Sequence, residues 1–125
     1  MSRTKRVLIV DDDRDNREAY AEYLRFRGFA IHEAATGSAA LAMSRECDPD
    51  VVLLDMRLPD AKGTDISRQL RAADATRPAI VALSAAVFDG DVAAALESGC
   101  DLFLPKPCLP DALESEIRRL LHMRG

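Results

Sequence analysis

Val7-Leu8-Ile9-Val10 runs straight into Asp11-Asp12-Asp13, and Val51-Val52-Leu53-Leu54 runs straight into Asp55. Both runs are apolar at every position. A strand with one wet face alternates apolar and polar residues, whereas a run with no polar position reads as a strand buried on both faces of a parallel sheet. In each case the apolar run stops at an acid.

Between and after these runs the pattern changes to helical spacing. Asn16 to Arg27 reads as a helix with Ala19, Tyr20, Tyr23 and Leu24 on one face and Gly28 as its stop. Phe29 to Ala34 reads as a strand, and Ser38 to Glu46 as a helix capped near Thr36. Asp48-Pro49-Asp50 is a turn into the strand Val51 to Leu54. Asp65 to Ala73 is a third helix with Ile66 and Leu70 inward, and Ala79 to Leu83 a fourth strand leading to Ser84-Ala85. A fourth helix covers Asp91 to Ser98 and stops at Gly99. The short strand Leu102 to Leu104 precedes Lys106-Pro107. The last helix, Pro110 to His122, carries Leu113, Ile117, Leu120 and Leu121 at amphipathic spacing. Apolar strands alternating with amphipathic helices predict an α/β fold, a doubly wound five-stranded parallel sheet flanked by five helices.

The 125 residues suit a single domain, 1–125, with no output domain after the last helix. With 48% hydrophobic and 30% charged residues the chain has material for a core. A net charge of −4 argues against binding nucleic acid or anionic lipid through bulk electrostatics, and MSRTKR at the start reads as a solvated tail. No apolar run is long enough to span a bilayer and no signal peptide precedes the first strand, so the expected location is cytoplasmic. Cys47, Cys100 and Cys108 fit no metal spacing and read as free thiols, Cys108 lying near the acidic cluster. His32 and His122 read as surface residues away from it.

In open α/β sheets, functional groups collect beyond the carboxyl ends of the strands. There the chain places Asp11, Asp12 and Asp13 after the first strand, Asp55 after the third, Ser84 after the fourth and Lys106 after the fifth. The second strand ends in Ala34-Ala35 and supplies no such group. Carboxylates gathered at one edge repel, and Mg²⁺ is the simplest compensation because it takes oxygen ligands. A carboxylate can itself be a nucleophile toward phosphorus, with an amine and a hydroxyl to hold the phosphoryl oxygens. The acidic run also suits a helix N-terminus: Asp15 with Glu18 resembles a capping box, a reading that accounts for Asp13 and Asp15 better than for Asp11 and Asp12.

VLIVDDD, VVLLDMRLPDAKG, IVALSA and FLPKP, in that order, resemble the four motifs of response-regulator receiver domains of two-component signalling, the chemotaxis-regulator-like domains, over essentially the whole chain. The resemblance implies the flavodoxin-like strand order 2-1-3-4-5. It implies that Asp55 is the phosphoacceptor and that Asp12 is a direct metal ligand, with Asp11 acting on the metal through water. The Arg57 carbonyl and Asp55 complete the set for Mg²⁺, for which Mn²⁺ can substitute. Ser84 becomes the switch hydroxyl and Lys106 the partner of a phosphoryl oxygen, with a cis Lys106-Pro107 bond. Phe103 becomes an aromatic that turns as Ser84 moves. The implied partners are a histidine kinase or a histidine phosphotransfer protein, and a downstream target or output domain on the face of the fourth helix, fifth strand and fifth helix. Direct nucleic-acid and membrane contacts are not implied. Such a domain catalyses its own phosphorylation and dephosphorylation without being a multiple-turnover enzyme.

Four positions depart from the commonest pattern: Ser84 where threonine is frequent, Phe103 where tyrosine is, Cys108 where an aromatic often follows Lys-Pro, and the cationic Arg57 beside the acceptor. The alternatives are a phosphatase of the haloacid dehalogenase type, disfavoured because Arg57 stands where a second acid belongs; a docking module of the same fold without phosphorylation; and a nucleotide-binding module, disfavoured by the lack of a Gly-rich phosphate loop.

Overall fold

The computed structural model describes residues 3–85 and 90–123. Ten elements alternate: β1 (Arg6–Val10), α1 (Arg14–Phe26), β2 (Ala30–Ala34), α2 (Gly37–Cys47), β3 (Val51–Asp55), α3 (Gly63–Ala73), β4 (Ala79–Ser84), α4 (Asp91–Glu97), β5 (Leu102–Pro105) and α5 (Pro110–Met123). All four strand pairings are parallel, and the order is β2-β1-β3-β4-β5. The predicted fold and strand order are therefore both present.

The period of two within each apolar strand divides the core between two layers. Val7, Ile9, Val51, Leu53, Val81 and Leu83 point to the side covered by Tyr20, Ala21 and Leu24 of α1 and Leu113, Ile117 and Leu120 of α5. Leu8, Val10, Val52, Leu54, Ile80 and Ala82 point to the other side, against Ala40 of α2, Ile66 and Leu70 of α3 and Ala95 of α4. Burying a leucine or isoleucine of this kind contributes about 1.5–3 kcal/mol relative to leaving it exposed. Central strands with both faces covered had to be apolar throughout, and that requirement made them legible.

Several sequence readings need correction. Ala19 is exposed and Ala21 is the buried alanine of α1. No Asp15–Glu18 capping box forms. Asp13 is the N-cap, accepting from the Asn16 amide at 3.1 Å, and Glu18 pairs with Arg14 at 2.9 Å. Helix α3 begins at Gly63, two residues before Asp65. Met1 and Ser2 of MSRTKR lie outside the described residues, and the rest of that segment is not a free tail. Arg3 pairs with Asp50 at 3.0 Å, and Arg6 opens β1 while donating to the Cys47 carbonyl at 2.8 Å. His32 is half-buried in the edge strand β2, whereas His122 is exposed. The three cysteines are free. Among the described residues no helix is long and apolar enough to cross a membrane.

Candidate phosphoacceptor site

The chain leaves β1 toward β2 on one side and toward β3 on the other, so the crevice where strand order reverses lies between β1 and β3. Asp11 follows β1 and Asp55 ends β3, which places both carboxylates at that crevice. Asp11 and Asp55 are buried, and Asp12 is exposed. One carboxylate oxygen from each lies within 4.8 Å of the other two.

Lys106 reaches this cluster from the end of β5. Its Nζ donates to Asp11 Oδ2 at 2.9 Å and to Asp55 Oδ2 at 3.0 Å. Two backbone amides hold the remaining oxygens of the buried pair. Arg57 N–H donates to Asp55 Oδ1 at 2.9 Å, and Asp13 N–H donates to Asp11 Oδ1 at 2.8 Å. The Asp12 side chain has no hydrogen-bonding or ion-pair partner among the described residues. Burial pushes the Asp55 carboxyl above its ordinary pKa; the Arg57 amide and Lys106 pull the other way without cancelling it, and the Asp11 charge adds to the rise. For Lys106 burial acts downward, but its bonds to Asp11 and Asp55 outweigh this and leave its pKa raised. One ammonium serves two buried carboxylates beside a third acid, so negative charge is in excess.

The donor chemistry fits a small hard cation. Three carboxylate oxygens converge, one from a side chain with no partner among the described residues, and oxygen-only ligation with open positions is what Mg²⁺ accepts. The β3–α3 loop is tightly closed here: the Gly63 amide donates to the Met56 carbonyl at 2.9 Å, and Arg57 and Lys62 form an antiparallel bridge. Gly63 is obligatory for steric reasons, since a Cβ there would lie 2.6 Å from Met56 Cα and 2.7 Å from the Asp55 carbonyl oxygen.

Ser84, the last residue of β4, is buried, and its carbonyl accepts from the Lys106 amide at 2.8 Å. It lines a cleft of about 410 Å³ together with Arg57, Lys62, Thr64, Ala94 and Phe103. Phe103 is half-buried against the α2–α3–α4 side of the core. The Lys106-Pro107 bond is cis, as the resemblance implied, and so is Arg77-Pro78. A second groove of about 390 Å³, between α2 and α3, lies toward the opposite end of the sheet, away from this cluster.

The structure thus brings together Asp11, Asp12, Asp55, Arg57, Ser84 and Lys106, and leaves both histidines elsewhere. It also adds Arg17, which sequence reasoning missed. Arg17 donates to the Asp11 carbonyl at 2.8 Å and pairs with Glu33 of β2 at 3.1 Å, tying the acidic turn to the edge strand. An arginine in the first turns of a helix gives no local signal of this; only the pairing of β1 with β2 brings Glu33 within reach. Cys108 contributes its carbonyl, which accepts from the Tyr20 hydroxyl at 2.8 Å, while burial raises the pKa of its thiol.

Residues 7–118 match the family described as the response regulator receiver domain. The DNA-binding response regulator MtrA of Mycolicibacterium smegmatis is 43% identical over 117 residues, covering 94% of this chain and 50% of that protein. The transcriptional regulatory protein PrrA of Mycobacterium leprae is 38% identical over 120 residues, covering 96% and 51%. The chain therefore spans about half the length of the curated relatives it matches. Among solved structures, a CheY-like receiver domain protein from Methanospirillum hungatei superposes with a TM-score of 0.92 at 26% identity, covering 97% of this chain and 96% of that one. A two-component response regulator from Clostridium difficile gives a TM-score of 0.93 at 25% identity, covering 98% and 99%.

Proposed function

The chain belongs to the response-regulator receiver family, phosphorylation-dependent switches of two-component systems, and on that premise we propose that Asp55 is its phosphoacceptor. The observation that carries this assignment is Lys106 bridging Asp11 and Asp55 beside Asp12, which has no partner among the described residues. Asp12, Asp55 and the Arg57 carbonyl would hold Mg²⁺ directly, with Asp11 acting through water, and the bound cation would supply neutralisation of phosphoryl charge.

The chain's own groups account for the remaining chemistry. An Asp55 carboxylate oxygen attacks phosphorus, and the P–N bond of a partner's phosphohistidine breaks as the O–P bond forms. The imidazole leaves with the electron pair and recovers a proton from solvent. Both Asp55 oxygens are oriented beforehand, one by the Arg57 amide and one by Lys106. Lys106 then moves its hydrogen bond to a phosphoryl oxygen, and the Ser84 hydroxyl takes another. Moving a two-state surface from mostly off to mostly on needs about 5 kcal/mol of differential stabilisation, a scale these new charge-assisted bonds can reach. The donor is a histidine kinase or a histidine phosphotransfer protein. The readout face is α4, β5 and α5, where Val92 and Leu96 of α4 are exposed, as is Leu109 in the turn before α5. The net charge of −4 favours protein partners over nucleic acid for this segment.

The haloacid-dehalogenase phosphatase reading gains no support: position 57 is arginine. The test is incubation with acetyl phosphate and Mg²⁺, followed by intact mass. An adduct that needs both the metal and Asp55, and is absent from Asp55→Asn, is the predicted result. A magnesium-supplied wild type that takes no adduct from acetyl phosphate or from a phosphorylated histidine partner overturns the assignment.

A further inference from the structure

The second strand supplies no chemical group to the carboxyl edge, yet the helix after it is joined to that edge. The first turn of α2 has three amides that need acceptors from outside the helix. Thr36, the N-cap, serves one: its hydroxyl accepts from Ala39 N–H at 3.1 Å. The other two are served by a residue of the β3–α3 loop. Asp60 Oδ1 accepts from Gly37 N–H at 2.7 Å, and Asp60 Oδ2 accepts from Ser38 N–H at 3.0 Å.

This is a two-pronged, charge-assisted clasp between segments far apart in sequence. A carboxylate at a helix N-terminus is favoured by the macrodipole as well as by the bonds themselves. The two amide bonds hold the Asp60 carboxyl below its ordinary pKa, so it is ionised at neutral pH. Close approach is built into the neighbours: a Cβ on Gly37 would lie 2.8 Å from Ile66 Cδ1 and 3.2 Å from Ala61 Cβ.

The clasped loop is the one that carries the site. Asp60 sits at its tip, between the Leu58–Ala61 backbone bond at 3.3 Å and the Arg57–Lys62 bridge. At its base, the Arg57 amide holds Asp55 Oδ1. On the reading above, the carbonyl of the same residue is a metal ligand. Arg57 therefore has both polar backbone groups committed to the site, and its own side chain makes no ion pair among the described residues that would anchor it. The loop is held at its base by the Gly63 turn and by the Met56 amide, which donates to the Leu83 carbonyl at 3.0 Å, along its length by the packing of Met56, Leu58 and Ala61 on the core, and at its tip by the Asp60 clasp.

We propose that Asp60 is a positioning residue for the phosphoacceptor site: by clasping the first turn of α2 it fixes the β3–α3 loop, and with it the Arg57 carbonyl and amide, in the geometry that binds Mg²⁺ and orients Asp55. This inference rests on the reading of Asp55 and its metal given above. It makes the second βα turn a support of the site although that turn contributes no ligand.

The test compares three variants of the chain by Mg²⁺ titration, followed by calorimetry and by amide chemical shifts. Asp60→Ala removes both prongs, Asp60→Asn keeps one acceptor oxygen, and Thr36→Ala removes a cap from the same helix without touching the loop. Partners that orient metal ligands from behind typically contribute 10–100-fold in affinity, so Asp60→Ala is expected to weaken Mg²⁺ binding about 10-fold. Asp60→Asn should fall between it and wild type. Thr36→Ala should lower the urea midpoint yet leave Mg²⁺ affinity at the wild-type value. Unchanged Mg²⁺ affinity in Asp60→Ala, or an equal loss in Thr36→Ala, overturns the inference and leaves Asp60 as a helix cap only. Wild type and Asp55→Asn run alongside: a wild type that binds no Mg²⁺ would sink the underlying site assignment itself, a separate outcome.

Discussion

Asp50 and Asp55 bracket strand β3, and both are almost wholly buried, at 7% and 8% exposure, yet their surroundings drive their acidities in opposite directions. Burial acts upward on both. At Asp50 it is outweighed by the Arg6 amide at 2.8 Å, Arg77 at 2.7 Å and Arg3 at 3.0 Å, and the pKa falls. At Asp55, which is enclosed more deeply, burial prevails over the Arg57 amide and over Lys106, which is shared with Asp11, and the Asp11 charge adds to the rise. The amino end of the strand is electrostatically balanced: two guanidinium groups and an amide meet Asp50, and one of those guanidinium groups also pairs with Asp48 at 3.2 Å. The carboxyl end has one ammonium for two buried acids and a third acid beside them. Two aspartates of nearly the same exposure therefore serve two purposes. One aspartate closes the fold, and the other is kept short of positive charge that a cation and a phosphoryl transfer can use.

The largest expected effect breaks the comparison at Asp55. Asp55→Asn should abolish the metal-dependent phosphoryl adduct, read by intact mass, because no other carboxylate is held by both the Arg57 amide and Lys106. Lys106→Met should follow, lowering the rate of adduct formation from acetyl phosphate about 100-fold, the scale of removing one preorganised donor to developing phosphoryl charge. The same two aspartates should then separate on stability. Asp50→Asn leaves the Arg3 and Arg77 guanidinium groups and the Arg6 amide without a charged acceptor and should cost about 1–2 kcal/mol in urea unfolding, with phosphorylation retained. Asp55→Asn, which removes one of two buried acids that share a single ammonium, should raise the unfolding free energy at neutral pH by up to about 1 kcal/mol.

A smaller effect concerns Glu114 on α5, which resembles Asp50 rather than Asp55. Burial acts upward on its pKa, but hydrogen bonds from Arg118 at 2.8 Å, Arg27 at 3.0 Å and Tyr23 at 2.9 Å outweigh it and hold it lowered to about 2. A carboxyl depressed from 4.5 to about 2 contributes stability that is fully present above the upper value and is lost as pH falls through the lower one. Glu114→Gln should therefore flatten the loss of stability between those pH values, measured as the urea midpoint against pH, and leave the curve above them parallel to wild type.

The fold was legible because central strands covered on both faces must be apolar throughout, and Val7–Val10 and Val51–Leu54 could hardly be anything else. The site was legible for the related reason that each of its groups directly follows such a strand. What stayed hidden depends on long-range pairing. Asp50 looked like a turn residue, since its partners Arg3 and Arg77 are 47 and 27 positions away. Arg17 with Glu33, Glu114 with Arg27, and Asp60 with the first turn of α2 are hidden in the same way. The misplaced cap of α1 had a local cause. Several aspartates in a row each suit a helix start, and only the backbone turn at Asp13 selects one of them.

The most direct test of the contrast along β3 is the titration of both carboxyl carbons by NMR, without and with Mg²⁺. Asp55 should titrate above the ordinary aspartate range and shift downward when Mg²⁺ is added, while Asp50 should titrate below that range and ignore the metal. Two aspartates that titrate together, or an Asp55 midpoint that Mg²⁺ does not move, would contradict the account.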